Sequence, residues 1–325
     1  MADKNLSTDP YKGVRDFYPE DMAIQNYIFS VWKKVAEEFK YQEYSASLLE
    51  YAELYRSKGS DEIVNEQMYI FTDKGDREVA LRPEMTPTLA RMVAAKRKSW
   101  KFPLRWFSIP NCFRYERPQR GRKREHWQLN CDIMGIAGIE AEVEIISLAH
   151  KIMKEFGAKD EDFEIRLGSR VWLNFLTLEL GDAISSEEKK KKLYRLIDIK
   201  EKDKEKYLAG LKELDIPPSE LEFDTVSDEF LEKIGVKNLL DELAKKGIKN
   251  IHFDKSIVRG FDYYTGMVFE VFDTNPENRR ALFGGGRYDN LLEMFGVDPV
   301  PTVGFGMGDV TMRDFLETHK LPLTR

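Results

Sequence analysis

The chain has 325 residues and a formal net charge of −6 at pH 7, from 51 basic and 57 acidic side chains. Hydrophobic residues make up 42% of it, enough for a sizeable core, and the acidic balance excludes a generally basic protein that coats nucleic acid. Two cysteines, no run of 18 apolar residues and no apolar N-terminal stretch predict a reduced, cytoplasmic protein without disulfide scaffold, membrane span or signal peptide.

The expected elements in the first half are helices and short strands. Apolar residues at helical spacing predict a helix over residues 21–40. The further predictions, in chain order, are strands at 68–72, 79–82 and 104–109, a hairpin over 113–134 with its loop at 117–124, and a helix over 139–156 that ends at Gly157.

The second half changes character near residue 170. Residues 171–247 are almost entirely helix-forming and contain no catalytic-looking cluster, and strand signals return at 248–253, 267–272 and 301–307. The pattern predicts an α+β fold, an antiparallel sheet flanked by helices with a helical insertion. We expect a catalytic domain at 1–170, the insertion at 171–247, and the second part of the catalytic domain at 248–325.

Positive charge is concentrated in one segment. The segment from Thr88 to His126 contains twelve Lys or Arg and only two Glu. Its net charge is +10, so the rest of the chain has a net charge of −16. Such an island favours a polyanion at one place, either nucleotide phosphates or a nucleic-acid end, although a solvated basic face is the simpler alternative.

Polar side chains also recur at strand spacing near this island. Parity puts Arg114 with Glu116 on one face, and it puts a second group on a common face of the following strand: Arg124, His126, Gln128, Asn130 and Asp132. Burying so many polar groups is costly unless they meet a polar ligand. A solvent-facing sheet remains the alternative.

Three shorter clusters complete the candidate chemistry. Glu84 and Thr86 follow a turn proline, where a carboxylate could hold a substrate ammonium group. Segment 257–269 combines Arg259 with two tyrosines and two glycines, and segment 281–289 contains three consecutive glycines. The glycines match neither a GxGxxG fingerprint nor a Walker A loop, and they indicate backbone brought against a ligand.

These motifs together resemble the histidyl-tRNA synthetase family. FRYERPQRGRKREHWQ is similar to motif 2 of class II aminoacyl-tRNA synthetases, RGFDYYTG and ALFGGGRYDNL to the two histidine motifs, PTVGFGMG to the start of motif 3, and KGVRDFYPED to the segment before the motif 1 helix. The resemblance runs from about residue 11 to 315. It implies a class II synthetase-like sheet, activation of L-histidine by ATP with Mg²⁺, transfer to the 3′ end of histidine tRNA, and a homodimer with no membrane attachment.

The resemblance also implies residue roles, although it indicates no metal ligand. Arg114 and Arg259 match the catalytic cations on the α-phosphate. The matching positions for histidine are Glu84, Thr86, Gln128, Asp132, Tyr263 and Tyr264; those for ATP are Arg114, Glu116, Arg122, His126 and Arg313; those for tRNA are Arg117, Gln119 and Arg120.

The chain departs from the family pattern at motif 3. The usual Glu-Arg pair, whose arginine supports the γ-phosphate, reads Val310-Thr311 here. If Asp309 is the N-cap of a helix that begins after it, Arg313 turns inward and substitutes for that arginine. Smaller departures are His126 in place of a phenylalanine and Asp132 in place of a glutamate.

Two other functions remain open on the sequence. The family's anticodon-binding domain is not present before the chain ends at Arg325, so we expect either a shortened catalytic core or a natural relative without that domain. Relatives of this second kind include the non-catalytic, histidine-binding regulatory subunit of ATP phosphoribosyltransferase and synthetase-like tRNA sensor domains.

Overall fold

The structure is a computed structural model, and it describes most of the chain. The described residues are 6–57, 63–117, 119–200, 203–221, 226–258, 263–278 and 280–324. Arg259, one of the two predicted catalytic cations, lies outside them.

Twelve strands are present in these ranges and form two sheets. They are β1 (Gln42–Glu43), β2 (Leu49–Tyr51), β3 (Tyr69–Thr72), β4 (Glu78–Leu81), β5 (Leu104–Ser108), β6 (Asn111–Phe113), β7 (Glu125–Met134), β8 (Phe163–Ser169), β9 (Ile251–Phe253), β10 (Met267–Asp273), β11 (Ala281–Arg287) and β12 (Thr302–Gly308).

The main sheet has the order β1-β5-β7-β12-β11-β10-β8-β9, and β6 pairs with the N-terminal half of β7. Its neighbours are antiparallel except at the two edges, where β1 runs parallel to β5 and β9 runs parallel to β8. The smaller sheet has the order β2-β4-β3. The predicted antiparallel sheet is confirmed.

Ten α-helices are present in the described ranges, and several of them flank the main sheet. They are α1 (Pro19–Glu38), α2 (Ala52–Arg56), α3 (Thr86–Ala95), α4 (Glu140–Glu155), α5 (Arg170–Glu179), α6 (Glu187–Ile199), α7 (Lys204–Glu213), α8 (Asp228–Lys233), α9 (Val236–Lys245) and α10 (Asp309–Thr318).

The main core lies between one face of the sheet and helices α1, α4, α9 and α10. Helix α1 follows its sequence pattern, because Ile28, Trp32 and Val35 are fully buried and Pro19 occupies the first helical turn. The odd-numbered residues of β7, from Leu129 to Ile133, belong to the same core. The even-numbered residues therefore face the opposite side of the sheet.

The insertion has a core of its own. Helices α5 to α7 bury apolar side chains such as Trp172, Leu193 and Leu211 against one another. Helix α9 differs, because Leu239 and Leu243 belong to the main core. The domain boundaries at 170 and 247 stay a prediction.

The predicted hairpin is present but shorter on its first strand. Strand β6 ends at Phe113. The Arg114 N–H still donates across to the Arg124 carbonyl at 2.9 Å, but the next residue turns away, because the Tyr115 N–H donates to the Gln67 carbonyl at 2.7 Å. The expected strand alternation of Arg114 and Glu116 is therefore wrong. The end of helix α4 is confirmed, with Gly157 at a φ of +93°. Strand β8 has no counterpart among the predictions.

A buried ion pair ties the sheet to helix α4. The Arg287 guanidinium donates two hydrogen bonds of 2.6 Å to the Glu142 carboxylate, and it also donates to the Ile136 and Gly138 carbonyls. Both side chains are at least nine-tenths buried, so neither charge can return to water without unfolding.

We therefore expect Arg287→Met to lower the free energy of unfolding by about 3 kcal/mol or more, because it leaves Glu142 buried without its partner. The matched control is Arg105→Met, which breaks the half-exposed Arg105–Glu144 pair and should cost about 1 kcal/mol or less. Urea unfolding of both variants measures the difference, and equal losses would contradict the argument.

Candidate active site

A cavity of about 530 Å³, its open mouth included, lies on the face of the sheet opposite the main core. Its wall contains side chains from four separate parts of the sequence. Those predicted from the family resemblance to hold histidine all line it, namely Glu84, Thr86, Gln128, Asp132, Tyr263 and Tyr264. Arg114 lines the same cavity. We call it the inner cavity.

The floor of the inner cavity is bare backbone. Strand β12 lies beside β7 in a register that pairs Gly304 with Asp132 and Gly306 with Asn130. A Cβ atom at Gly304 would lie 2.1 Å from Asp132 Oδ1, and one at Gly306 would lie 2.0 Å from Gln128 Nε2. The β7 side chains therefore occupy space that only glycine leaves open.

Three tyrosines enclose the Asp132 carboxyl group. Tyr288 donates a hydrogen bond to Asp132 Oδ1, and its ring centroid lies 5.5 Å from that of Tyr263. Tyr264 packs on Tyr263 with centroids 5.0 Å apart. Tyr288 was not among the predicted site residues, although it belongs to the ALFGGGRYDNL segment, and that segment was the available signal.

Burial controls the charge of this group. Burial raises the pKa of the Asp132 carboxyl to about 7, and the hydrogen bond from Tyr288 acts in the opposite direction. Burial also raises the pKa of Tyr288, with a further contribution from the charge of Asp132, so the phenol keeps its proton and acts as the donor. The inner cavity therefore contains a carboxyl group that is only partly ionised near pH 7.

Glu84 and Thr86 enter the cavity from the turn between β4 and α3. Glu84 is 3% exposed, and Tyr263 donates to its Oε2 at 3.4 Å. Arg114 lies beside this turn, because its Nε donates to the Pro83 carbonyl at 2.9 Å. A cation and a carboxylate therefore face the cavity side by side, as the two ends of a zwitterionic amino acid require.

His126 is another of the polar residues that share one face of β7. Burial, with a smaller contribution from the neighbouring Arg114 and Arg15 cations, lowers its pKa to about 3. The imidazole is neutral at pH 7 and adds no charge beside Arg114.

The remaining predicted ATP and tRNA residues of the motif 2 loop line two wider clefts. Glu116, Arg117, Gln119 and Arg122 line one of about 980 Å³. Arg120 joins Gln119 and Arg122 in the wall of a second cleft of about 2230 Å³, which we call the outer cleft. Glu116 accepts a hydrogen bond from Arg122 at 3.1 Å, so the loop partly neutralises its own charge.

The predicted inward position of Arg313 is wrong. Helix α10 begins at Asp309 with Gly308 as N-cap, and the buried Asp309 carboxylate accepts hydrogen bonds from Arg15 at 2.7 Å and from the Trp127 N–H at 2.9 Å. Asp309 is therefore not the N-cap. Two residues of helix turn by about 200°, so Thr311 faces the outer cleft while Arg313 points away. Arg313 binds Asp21 and Glu317 instead.

A family model described as histidyl-tRNA synthetase matches residues 13–309. The chain belongs to the histidyl-tRNA synthetase family. Curated relatives named histidine–tRNA ligase include that of Leptospira biflexa, 45% identical over 99% of this chain and 77% of its own length. The chloroplastic/mitochondrial relative of Arabidopsis thaliana is 40% identical over 98% of this chain and 68% of its own length.

Solved structures agree on the synthetase fold. A histidyl-tRNA synthetase from Nostoc matches with a TM-score of 0.79 at 21% identity and covers 98% of this chain and 78% of its own. A Bacillus halodurans protein, named as an ATP phosphoribosyltransferase regulatory subunit/histidyl-tRNA synthetase, matches with a TM-score of 0.78 at 25% identity over 97% of this chain and 84% of its own.

The described part of this synthetase-family chain has no group of three His, Cys, Asp or Glu arranged to hold a metal ion. Within the same ranges, every helix is too short or too polar to span a bilayer.

The raised pKa of Asp132 makes stability depend on pH. The unfolded carboxyl titrates near its ordinary value of 3.8, so the stabilising contribution of the neutral buried form is present below that pH and is lost as pH rises through about 7. We expect Asp132→Asn, which keeps the neutral form, to gain about 1 kcal/mol or more relative to the native protein at pH 8 compared with pH 4. Urea unfolding at both pH values measures this, and the same difference at each would refute it.

The position of Arg313 leads to a second expectation. Arg313→Ala should change the affinity for ATP by less than about twofold, because the side chain is held by Asp21 and Glu317 on the far side of α10. Isothermal titration with ATP measures it. A tenfold weakening would restore Arg313 to the site.

Proposed function

We propose that this protein activates L-histidine with ATP to form histidyl-adenylate and transfers the histidyl group to the 3′ end of histidine tRNA. The observation that carries the proposal is the inner cavity, in which side chains from separate histidyl-synthetase motifs converge beside one phosphate-binding arginine. The names of the curated relatives support the same activity.

Recognition of the imidazole ring rests on Asp132 and the tyrosines. A neutral imidazole has one nitrogen that donates and one that accepts. Asp132 Oδ2 accepts from the first, while Oδ1 is already bonded to Tyr288. A phenol of the Tyr263–Tyr264 pair donates to the second. A ring that lacks this donor and acceptor leaves Oδ2 of the buried Asp132 without a hydrogen bond. The pocket is therefore selective for histidine.

Recognition of the α-amino group rests on the Glu84 carboxylate. The Thr86 hydroxyl and the side-chain oxygen of Gln128 are further acceptors. Glu84 is a buried carboxylate in the wall of the cavity, and Arg114 donates to the carbonyl of the preceding residue, Pro83. An ammonium group at Glu84 directs the histidine carboxylate toward Arg114 and the mouth.

Adenylate formation then needs positioning and positive charge but no general base. A histidine carboxylate oxygen attacks the α-phosphorus of ATP and forms a new P–O bond, while the bond from that phosphorus to the oxygen bridging the α- and β-phosphates breaks and pyrophosphate leaves. Arg114 stabilises the charge that develops on the α-phosphate. Arg259, which the family resemblance assigns to the same phosphate, lies outside the described residues.

The basic loop and the second product complete the proposal. Glu116, Arg122 and His126 serve the nucleotide, and Arg117, Gln119 and Arg120 meet the acceptor end of the tRNA, whose terminal hydroxyl displaces AMP from the adenylate. Magnesium carried by ATP phosphates needs only one or two protein carboxylates, and Glu116 fits that role. We also propose a homodimer, as the family resemblance implies.

A second candidate is a histidine-binding regulatory subunit of ATP phosphoribosyltransferase. The double name of the Bacillus halodurans protein and the lack of a motif 3 arginine favour it. A histidine sensor does not require a phosphate cation in its pocket, whereas Arg114 lines the inner cavity. Histidine-dependent exchange of pyrophosphate into ATP separates the two, since a sensor produces none.

The role of Arg114 gives a prediction for that assay. Arg114→Ala should lower the exchange rate by at least about a hundredfold, because the lost charge acts on the transition state. Arg114→Lys should recover little, since an ammonium group cannot copy the planar fork. Thermal unfolding should change little, because the Arg114 side chain makes a single hydrogen bond, through Nε, to the described part of the chain. Near-native exchange by the alanine variant would overturn the assignment.

A further inference from the structure

The outer cleft contains an arginine that forms no ion pair with the described residues. Three other arginines in its wall are held by carboxylates: Arg166 by Glu164 and Asp254, Arg122 by Glu116, and Arg120 by Asp314 at 3.8 Å. Arg280 also lines the cleft, and among the described residues no carboxylate lies within ion-pair distance of it.

Arg280 is nevertheless held in place. Its Nη1 donates to the Arg120 carbonyl at 2.7 Å. Arg120 is itself anchored, because its Nη2 donates to the Thr318 hydroxyl at 2.9 Å on helix α10. One edge of the Arg280 guanidinium is therefore fixed by the motif 2 loop, and its other N–H groups remain for a ligand in the cleft.

Arg280 lies close to Thr311, the residue that replaces the usual arginine of motif 3. The Thr311 hydroxyl donates to the Leu282 carbonyl at 2.7 Å, so residue 311 faces strand β11 two residues beyond Arg280. Thr311 and Arg280 both line the outer cleft. A threonine supplies no charge there, whereas Arg280, the residue just before β11, does.

The outer cleft and the inner cavity both lie along strand β11. Ala281 and Leu282 of β11 line the outer cleft, and Gly284 of the same strand lines the inner cavity. Three strand residues span about 10 Å, which is the scale of a triphosphate chain. A nucleotide whose α-phosphate meets Arg114 can therefore extend its phosphates along β11 toward Arg280.

We propose that Arg280 binds the terminal phosphate of ATP and supplies from the start of β11 the cation that residue 311 does not supply. The inference rests on the proposed function for ATP as the substrate. A guanidinium group and a phosphate form paired, charge-assisted hydrogen bonds. An arginine that is not in an ion pair binds the phosphate without first breaking one.

The test compares ATP with ADP, which lacks only the terminal phosphate. Isothermal titration of Arg280→Ala should show ATP affinity weakened about tenfold or more, with ADP affinity changed less than about twofold. In pyrophosphate exchange the same variant should raise the KM for ATP and leave the KM for histidine unchanged. The control is Arg77→Ala, which removes the same charge from the β3–β4 turn, where Arg77 pairs with Asp73.

A second variant tests the location of the charge. Thr311→Arg in the Arg280→Ala background returns a cation to the same cleft and should recover most of the ATP affinity. Unchanged ATP affinity in Arg280→Ala, or equal weakening of ATP and ADP, overturns the proposal, and so does a double variant no tighter than the single one. If the native protein shows no exchange while Arg280→Ala still loses its preference for ATP over ADP, the proposed function fails and the Arg280 assignment stands.

Discussion

The site depends on the absence of side chains from strand β12 where it passes beside β7. Gly304 and Gly306 let Asp132 and Gln128 extend across the neighbouring strand at distances that no Cβ atom would permit. The same bare strand forms the floor of the inner cavity, so the substrate pocket and the positions of its polar groups arise from one packing constraint. Any side chain added there would displace Asp132 or Gln128.

A second constraint fixes the edge of the site. The buried Asp309 carboxylate connects the N-terminal segment through Arg15, helix α1 through Gln25, and strand β7 through the Trp127 N–H. Since Asp309 is the first residue of α10, these bonds set the rotation of that helix. Thr311 faces β11 for this reason, and the arginine two residues later faces outward, whatever charge the nucleotide requires.

Charge is distributed along the site in a consistent order. The deep end is close to neutral, because burial raises the pKa of Asp132 and keeps Tyr288 protonated. His126 is neutral as well. Positive charge begins at Arg114 and reappears in the outer cleft at Arg280, whereas Arg122 and Arg120 in that cleft are paired with Glu116 and Asp314. Such a gradient suits a ligand with an uncharged ring at one end and phosphates at the other.

The sequence by itself determined the antiparallel sheet, helix α1 with its apolar face, the end of α4 at Gly157, and the set of polar residues on β7, because these follow from local spacing and parity. It could not determine the partners of α10. The orientation of Arg313 depended on Asp309, whose hydrogen bonds reach residues almost 300 positions away, and Tyr288 required the contact with Asp132 across 156 residues. The turn of the chain after Phe113 was likewise decided by a bond to Gln67 in another segment. The local sequence pattern predicts on which face of its own element a side chain lies. The partner of that side chain is decided only when distant elements pack together.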